Sequence, residues 1–434
     1  TDEVAEVVDV LLERTSASRW LATSRQPLQL PDERQVHVSP LAVNDDLDAP
    51  AIQLFAAAAE RVNAVIGRDD LPAVVGICTS LDGLPLSIEL AAAQLRHLTV
   101  GELAARLDQR FELLRRTGGG RLRRQASLQA VLEDAWEMID DRERELLQQM
   151  AAFPSTFAVE DVEAVCEGID VGVATLTLAG LVDRSLVISD GHGRHRLLET
   201  VKLFARQRWA HASVPAVYLE RHTDWVLGYL GSFEPQEWFT SFEIAAWANA
   251  RYDDHRAVED RLAASGRTGE LTALLRSLAL TYTHQTGTRA SAATERIDSY
   301  LHTLDLSDRE RGVMNVVAAG AGLSARRPDW IENASRRAVP LLRSDGSPEE
   351  LAAALTINSW LTVFRNFESA ISMLEEARSI AEQAAAHALA DVAIAYTASH
   401  HAVNGGVDSS VRVLHELEAR LGDRSFDYAR MLYG

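Results

Sequence analysis

Two short stretches carry residue types suited to phosphate and nucleotide chemistry. The first is "SRWLATSRQPL", residues 18–28. Trp20, Leu21 and Ala22 read as a short buried strand, and Thr23, Ser24 and Arg25 then lie at its carboxyl end. In open α/β sheets ligands bind outside that end. An arginine there offers a permanent charge on a planar fork that matches phosphate oxygens. The second is "SLDGLPLSIELAAAQL", residues 80–95. Gly83 permits a tight turn. Pro85 suits the first turn of a helix, where its missing N–H costs nothing. Leu86, Ile88, Leu90, Ala91 and Leu95 follow at helical spacing. The small residues Ala91, Ala92 and Ala93 leave room for a backbone or a flat ligand. On the residues alone each has a plainer reading: Arg25 as a solvated strand-end arginine, Pro85 as a helix starter.

Other chemistries find little support. Lys202 is the one lysine, in "ETVKLFA", with no glycine near it and leucine after it. A phosphate-cradling P-loop needs Lys followed by Ser or Thr at the end of a glycine-rich loop, so these residues contain none. Cys78 and Cys166 lie far apart among apolar neighbours and read as reduced core residues. The histidines, including the adjacent His400 and His401, have no second ligand at metal-binding spacing. No nucleophile elbow occurs. The carboxylates alternate with arginine on helices, as solvated faces do. No catalytic residue and no metal site is therefore assigned.

The 434 residues exceed one ordinary domain, and about three are expected. A net charge of −20 argues against a broad nucleic-acid surface. A local exception is Arg106 to Arg124, with seven arginines against two acids. No stretch is long and apolar enough to span a membrane, and the acidic start "TDEVAEVVDV" is not a signal peptide. The expected location is cytoplasmic. The first residue is Thr, so the chain is expected to be a piece of a longer one.

The elements that would position these residues follow from periodicity. A helix is expected over 1–14, then the strand at 18–28 and a second at 36–41. Helices follow at 50–66, 71–80, 85–96 and 100–114, and then the linker "RRTGGGRLRRQ". Residues 127–139 and 141–152 read as helices, and "FPSTFAVEDVEAVC" as a turn and a short helix. A helix then leads to a hairpin of "SLVIS" and "HRLLE" around "DGHG", followed by a long helix. Helices ending in a two-stranded wing describe a winged-helix domain. Beyond residue 212 the pattern is wholly helical. Turn-then-helix signals at Trp330, Phe367 and Val407 are spaced 37 and 40 apart, as in an α-solenoid of tetratricopeptide type.

"WLATSRQPL", "LDGLPLSIELAAAQL", "LLQQMAAFPSTFAVEDVEAVC", "LVDRSLV" and "HRLLETVKLFARQR" occur in the order found in signal-transduction ATPases of the NB-ARC (STAND) type. Residues 1–210 resemble the bacterial transcriptional regulators that join such a module to tetratricopeptide repeats. The resemblance implies a mainly α fold with four parts: residues 1–48 as the end of an α/β NTPase core, 49–124 as a helical lid, 125–211 as a winged helix, and 212–434 as repeats. It gives Arg25 the role of a sensor of the terminal phosphate, and places Gly83, Leu84 and Pro85 in the motif whose proline lies against adenine. Where relatives carry Met-His-Asp, this chain has Leu197, Leu198 and Glu199, so the ADP-touching histidine is absent and Glu199 is left with a capping or locking role. His195 reads as an exposed wing residue.

ATP or ADP with Mg²⁺ is the cofactor implied for the complete protein, whose P-loop half precedes residue 1, and no hydrolysis is expected of this chain alone. The implied partner is a protein or small-molecule inducer on the repeats, with an oligomerisation or effector surface released by switching. DNA contact by this chain and membrane contact are not expected. The alternative is a helical-repeat scaffold whose NB-ARC remnant serves packing only.

Overall fold

The computed structural model describes residues 8, 33, 34, 36, 38–44, 46, 48–107, 128–166, 171–184, 186–190, 192–209, 215–284 and 288–421. The helix expected over 1–14, the strand over 18–28 with Arg25, and nearly all of the arginine-rich stretch lie outside these residues. The chain is mainly α and forms two compact units, Thr1–His222 and Thr223–Gly434.

In the first unit, α1 (Pro50–Glu60), α2 (Leu71–Ser80), α3 (Pro85–Ala93) and α4 (Val100–Leu107) make a small bundle. Each of the first three has proline at its first or second position, where no helical N–H is lost. α1 buries Ala51, Ile52, Phe55, Ala58 and Ala59, one stripe of a 3.6-residue period. Cys78 is buried beneath it, with its thiol 3.7 Å from the Ala51 carbonyl. The strand expected at 36–41 does not form among its described residues. Val36 and Val38 are exposed, and Pro40 has no N–H for a ladder. Leu41 gives its N–H to Gly83 O instead, at 3.0 Å.

After α5 (Leu128–Glu137) comes a helical domain with a wing: α6 (Asp141–Met150), β1 (Thr156–Phe157), α7 (Val159–Val165), α8 (Val171–Asp183), β2 (Val187–Ser189), β3 (His195–Leu197) and α9 (Glu199–Trp209). The antiparallel sheet has the order β1-β3-β2, with Val187 opposite Leu197 and Thr156 opposite Arg196. β1 falls where the sequence reads as a turn, because a two-residue strand has too little alternation to register. Asp140 and Glu143 form a reciprocal cap on α6. Buried Glu143 then accepts from Arg184 Nη1 at 2.7 Å, which ties α6 to the end of α8.

The second unit opens with α10 (Pro215–Gly231), within which the division of the chain falls. α11 (Phe242–Ala250), α12 (Tyr252–Ala264), α13 (Thr268–Ser277), α14 (Ala279–His284) and α15 (Thr288–Thr303) follow. Three helix pairs then succeed one another: α16 (Asp308–Ser324) with α17 (Pro328–Asp345), α18 (Pro348–Thr362) with α19 (Phe367–Gln383), and α20 (His387–Val403) with α21 (Val407–Leu421). The second helices begin at Pro328, Phe367 and Val407, intervals of 39 and 40, so the matching position in the first pair is Pro328 rather than Trp330. Ser307 with Glu310 and Ser347 with Glu350 cap successive first helices in the same reciprocal way.

Four of the turns share one construction. Gly266, Arg326, Ala385 and Gly405 have φ of 69, 55, 57 and 79°. The next N–H, from Arg267, Arg327, Ala386 or Gly406, reaches back to the carbonyl of Leu262, Gly322, Ala381 or His401 at 2.8–3.0 Å. This closure satisfies a carbonyl that the helix end would leave unpaired. One apolar core runs through the array, from Val226 to Ala393.

The reading of its carboxylates as solvated fails at four positions. Asp254, Glu259, Glu350 and Asp391 are buried. Glu259 accepts from the hydroxyls of Tyr282 and Tyr300 at 3.0 and 3.1 Å and pairs with Arg256 and Arg296. Glu350 pairs with Arg276 at 2.6 Å and Arg309 at 3.0 Å, and Asp391 with Arg420 at 2.8 Å. Burial opposes ionisation of Glu259, but Arg296 and Arg256 outweigh it and hold the carboxyl below its usual value.

Candidate functional site at the Gly-Leu-Pro turn

The turn between α2 and α3 is built from residues with unusual backbone. Asp82 has φ of 55° and Gly83 of 65°. Glycine adopts such angles freely, whereas aspartate takes them at a cost. Gly83 N–H donates to Cys78 O and Leu84 N–H to Leu81 O, both at 3.0 Å, so the turn closes the end of α2 before α3 begins. A Cβ on Gly83 would stand 2.1 Å from Leu41 O, so only glycine lets the 38–44 segment lie against the turn. Leu84 is half-buried and Pro85 is exposed at the mouth of α3.

Asp82 joins this turn to the winged domain. Its side chain is 7% exposed, and Oδ1 accepts from Arg196 Nη1 at 2.8 Å. Oδ2 accepts a short hydrogen bond from the backbone N–H of Glu199, the first residue of α9. A carboxylate there also meets the positive end of the helix dipole. Burial is the largest influence on Asp82 and raises its pKa, with Arg196 and the Glu199 N–H opposing. The ionised form is therefore held at a net cost, and the pairing cation offsets it only in part.

Of the residues singled out in the sequence, Gly83, Leu84, Pro85 and Glu199 are thus brought into one junction, with Asp82 between them. Arg25 lies outside the described residues. The Glu199 carboxylate is turned to Lys202, whose Nζ lies 2.6 Å from Glu199 Oε2 and 2.6 Å from Pro154 O. Lys202 is 4% exposed, so the one lysine is a structural tie between α9 and the loop before β1. Arg206 on the same helix donates to Ala151 O at 2.8 Å. Asp82 was missed in the sequence, where an aspartate before Gly-Leu-Pro reads as an ordinary turn former. His195, expected to be exposed on the wing, is half-buried with its ring stacked on Phe157 at 6.3 Å.

In helix-turn-helix proteins the second helix enters the major groove. Here that helix is α8, "VGVATLTLAGLVD", with neither lysine nor arginine. Its exposed positions include Gly172, Val173, Thr175, Leu176 and Ala179, and Leu176 is 76% exposed. On the wing, Arg194 is occupied with Thr156 O at 2.7 Å and with Asp161 at 3.5 Å.

Cys78 and Cys166 are free and buried, and burial pushes both thiols up to about 12. Neither is poised as a nucleophile. No helix among the described residues is long and apolar enough to cross a membrane.

Comparison with known proteins agrees with the winged domain. The winged helix-turn-helix domain family matches residues 139–210. The chain is 33% identical over 263 residues to the "Putative HTH-type transcriptional regulator Mb0914c" of Mycobacterium bovis and, equally, to Rv0890c of Mycobacterium tuberculosis, which bears the same description. That match takes in 59% of this chain and 29% of the relative, so the chain spans less than a third of those regulators. It is also 32% identical over 229 residues to an uncharacterised Mycobacterium tuberculosis protein, Rv0894, covering 51% of this chain and 57% of that one. Among solved structures, a Signal Transduction ATPase with Numerous Domains (STAND) protein with a tetratricopeptide repeat sensor from Pyrococcus horikoshii aligns over 86% of this chain and 59% of that one. The identity is 10% and the TM-score 0.27, too low to bear on the fold.

Proposed function

We propose that this chain is the regulatory part of a STAND-type nucleotide switch that acts in transcription. In it, the lid and winged helix respond to ATP or ADP, and the repeats receive an inducer. The observation that carries the reading is the Asp82 junction. One carboxylate binds the wing through Arg196 and the start of α9 through Glu199 N–H, while its own backbone forms the turn before Pro85. A nucleotide pressing on that turn would pull on the winged domain through a single buried group. The matched winged-helix family and the similarity to proteins named as regulators support the transcriptional setting. The absence of lysine and arginine from α8 supports a winged helix that works by protein contact, with DNA bound elsewhere in a longer protein.

Hydrogen–deuterium exchange on the chain joined to its upstream sequence tests this reading. ATP and ADP should change protection at Leu41, at Gly83 and at the first turn of α9 together. Nucleotide-independent protection at all three would oppose it. A second reading, a repeat scaffold without nucleotide function, has one observation in its favour. The Glu199 carboxylate is already committed to Lys202 instead of facing a ligand.

A further inference from the structure

A cleft of about 560 Å³, counting its solvent-open mouth, lies within the second unit. Its walls come from α14, α16, α18 and α20, three of which are the first helices of successive pairs, and Phe239 adds to the lining. On α18 the lining residues Ala353, Thr356, Ile357 and Trp360 fall at i, i+3, i+4 and i+7, one face of a helix.

Its chemistry is narrow. No charged side chain lines it. The Thr283 and Thr356 hydroxyls donate to Ala279 O and Ala352 O, at 2.9 and 2.8 Å, so each turns a methyl or a lone pair towards the space. One wall is aromatic. Trp360 packs edge-on against Tyr396 at 6.1 Å and against His400 at 6.2 Å. His400 is itself buried, with Nε2 3.0 Å from Ser359 Oγ, so the aromatic wall is braced from behind. A charged ligand would lose its hydration here with no counter-charge to replace it. A peptide strand would find no free sheet edge, because the walls are helices whose backbone groups are paired internally.

We infer that this cleft binds an uncharged, largely apolar small molecule carrying an aromatic ring that packs on Trp360 and Tyr396. Binding itself stands on the cleft alone. That the molecule is the inducer rests on the regulatory reading above.

The test uses the whole chain and N-phenyl-1-naphthylamine, a neutral aromatic probe, with 1-anilinonaphthalene-8-sulfonate as its anionic counterpart. The neutral probe should bind saturably, one per chain, and at least tenfold more tightly than the anion. Ala353→Phe, which fills the cleft, should weaken it at least tenfold. Trp360→Phe keeps the wall, yet should remove at least half of the energy transfer from tryptophan to bound probe. No saturable binding, tighter binding of the anion, or unchanged transfer in Trp360→Phe would overturn the inference. Nucleotide binding is read separately, so failure of the switch leaves this result standing, and the reverse.

Discussion

Asp82 and Arg196, 114 residues apart, meet at 2.8 Å and couple the turn before α3 to the wing. The two partners are not equivalent. Asp82 is 7% exposed and its carboxylate is held against the cost of burial, whereas Arg196 is 38% exposed. Arg196→Gln leaves a buried charge without its cation and should destabilise the first unit by about 2 kcal/mol, below the usual cost of breaking a fully buried pair because Arg196 is partly solvated. Asp82→Asn keeps an acceptor for Glu199 N–H and removes the buried charge, so it should cost less than about 1 kcal/mol. Denaturant melts of both variants and the double variant measure the asymmetry. Equal losses would mean that the ion pair itself is the stabilising element.

Gly83→Ala should be costly for two reasons at once. Its φ of 65° disfavours any Cβ, and that Cβ would lie 2.1 Å from Leu41 O. A loss of at least about 2 kcal/mol is expected. Faster amide exchange at Leu41, which donates to Gly83 O, should accompany it. An unchanged exchange rate at Leu41 would show that the 38–44 segment is held by other contacts.

The shared turn geometry of the repeats makes a prediction of opposite sign. Arg326 and Ala385 occupy the left-handed position that Gly266 and Gly405 hold elsewhere in the array, and both side chains are exposed. Ala385→Gly should therefore raise stability by roughly 1 kcal/mol, and Gly405→Ala should lower it by a similar amount. Melting of the two variants against the parent chain decides it, and a lower melting temperature for Ala385→Gly would count against the closure described here.

Two buried histidines give the second unit an acid limit. Burial brings the imidazoles of His255 and His400 down to about 4. In the unfolded chain they take up protons near their ordinary value of 6.5. The folded state thus binds fewer protons between those values. The stability from holding them neutral is present above pH 6.5 and drains away as pH falls towards 4. Ring resonances followed by NMR should stay those of neutral histidine down to about pH 4. Midpoints near 6.5 would contradict the burial.

How much of this was legible in the sequence differs from element to element. Pro50, Pro85 and the Ser-x-x-Glu pairs at 307–310 and 347–350 mark helix starts by local chemistry, and the wing of β2 and β3 was visible in "SLVIS" and "HRLLE". β1 was not, because its two residues become a strand only by pairing with β3. The buried state of Glu259, Glu350 and Asp391 was equally hidden. An acid spaced from arginines along a helix looks the same whether water or another helix covers it. At the candidate site, Gly83 and Pro85 could be read from conformational demands within a few residues. The role of Asp82 could not, since its partners Arg196 and Glu199 arrive from more than a hundred residues away. The cleft left a faint trace in the i, i+3, i+4, i+7 spacing of Ala353, Thr356, Ile357 and Trp360, but such a stripe normally marks core.

The central claim is that the Asp82 junction responds to nucleotide. Its most direct test is calorimetry with ATP and ADP in the presence of Mg²⁺, on this chain joined to its upstream sequence, with and without Arg196→Gln. The account predicts that the joined protein binds both nucleotides and that Arg196→Gln shifts the ratio of their affinities by at least about fivefold, a coupling of about 1 kcal/mol. Absence of nucleotide binding, or a ratio unmoved by the substitution, would contradict it and leave the chain a repeat scaffold on an inherited fold.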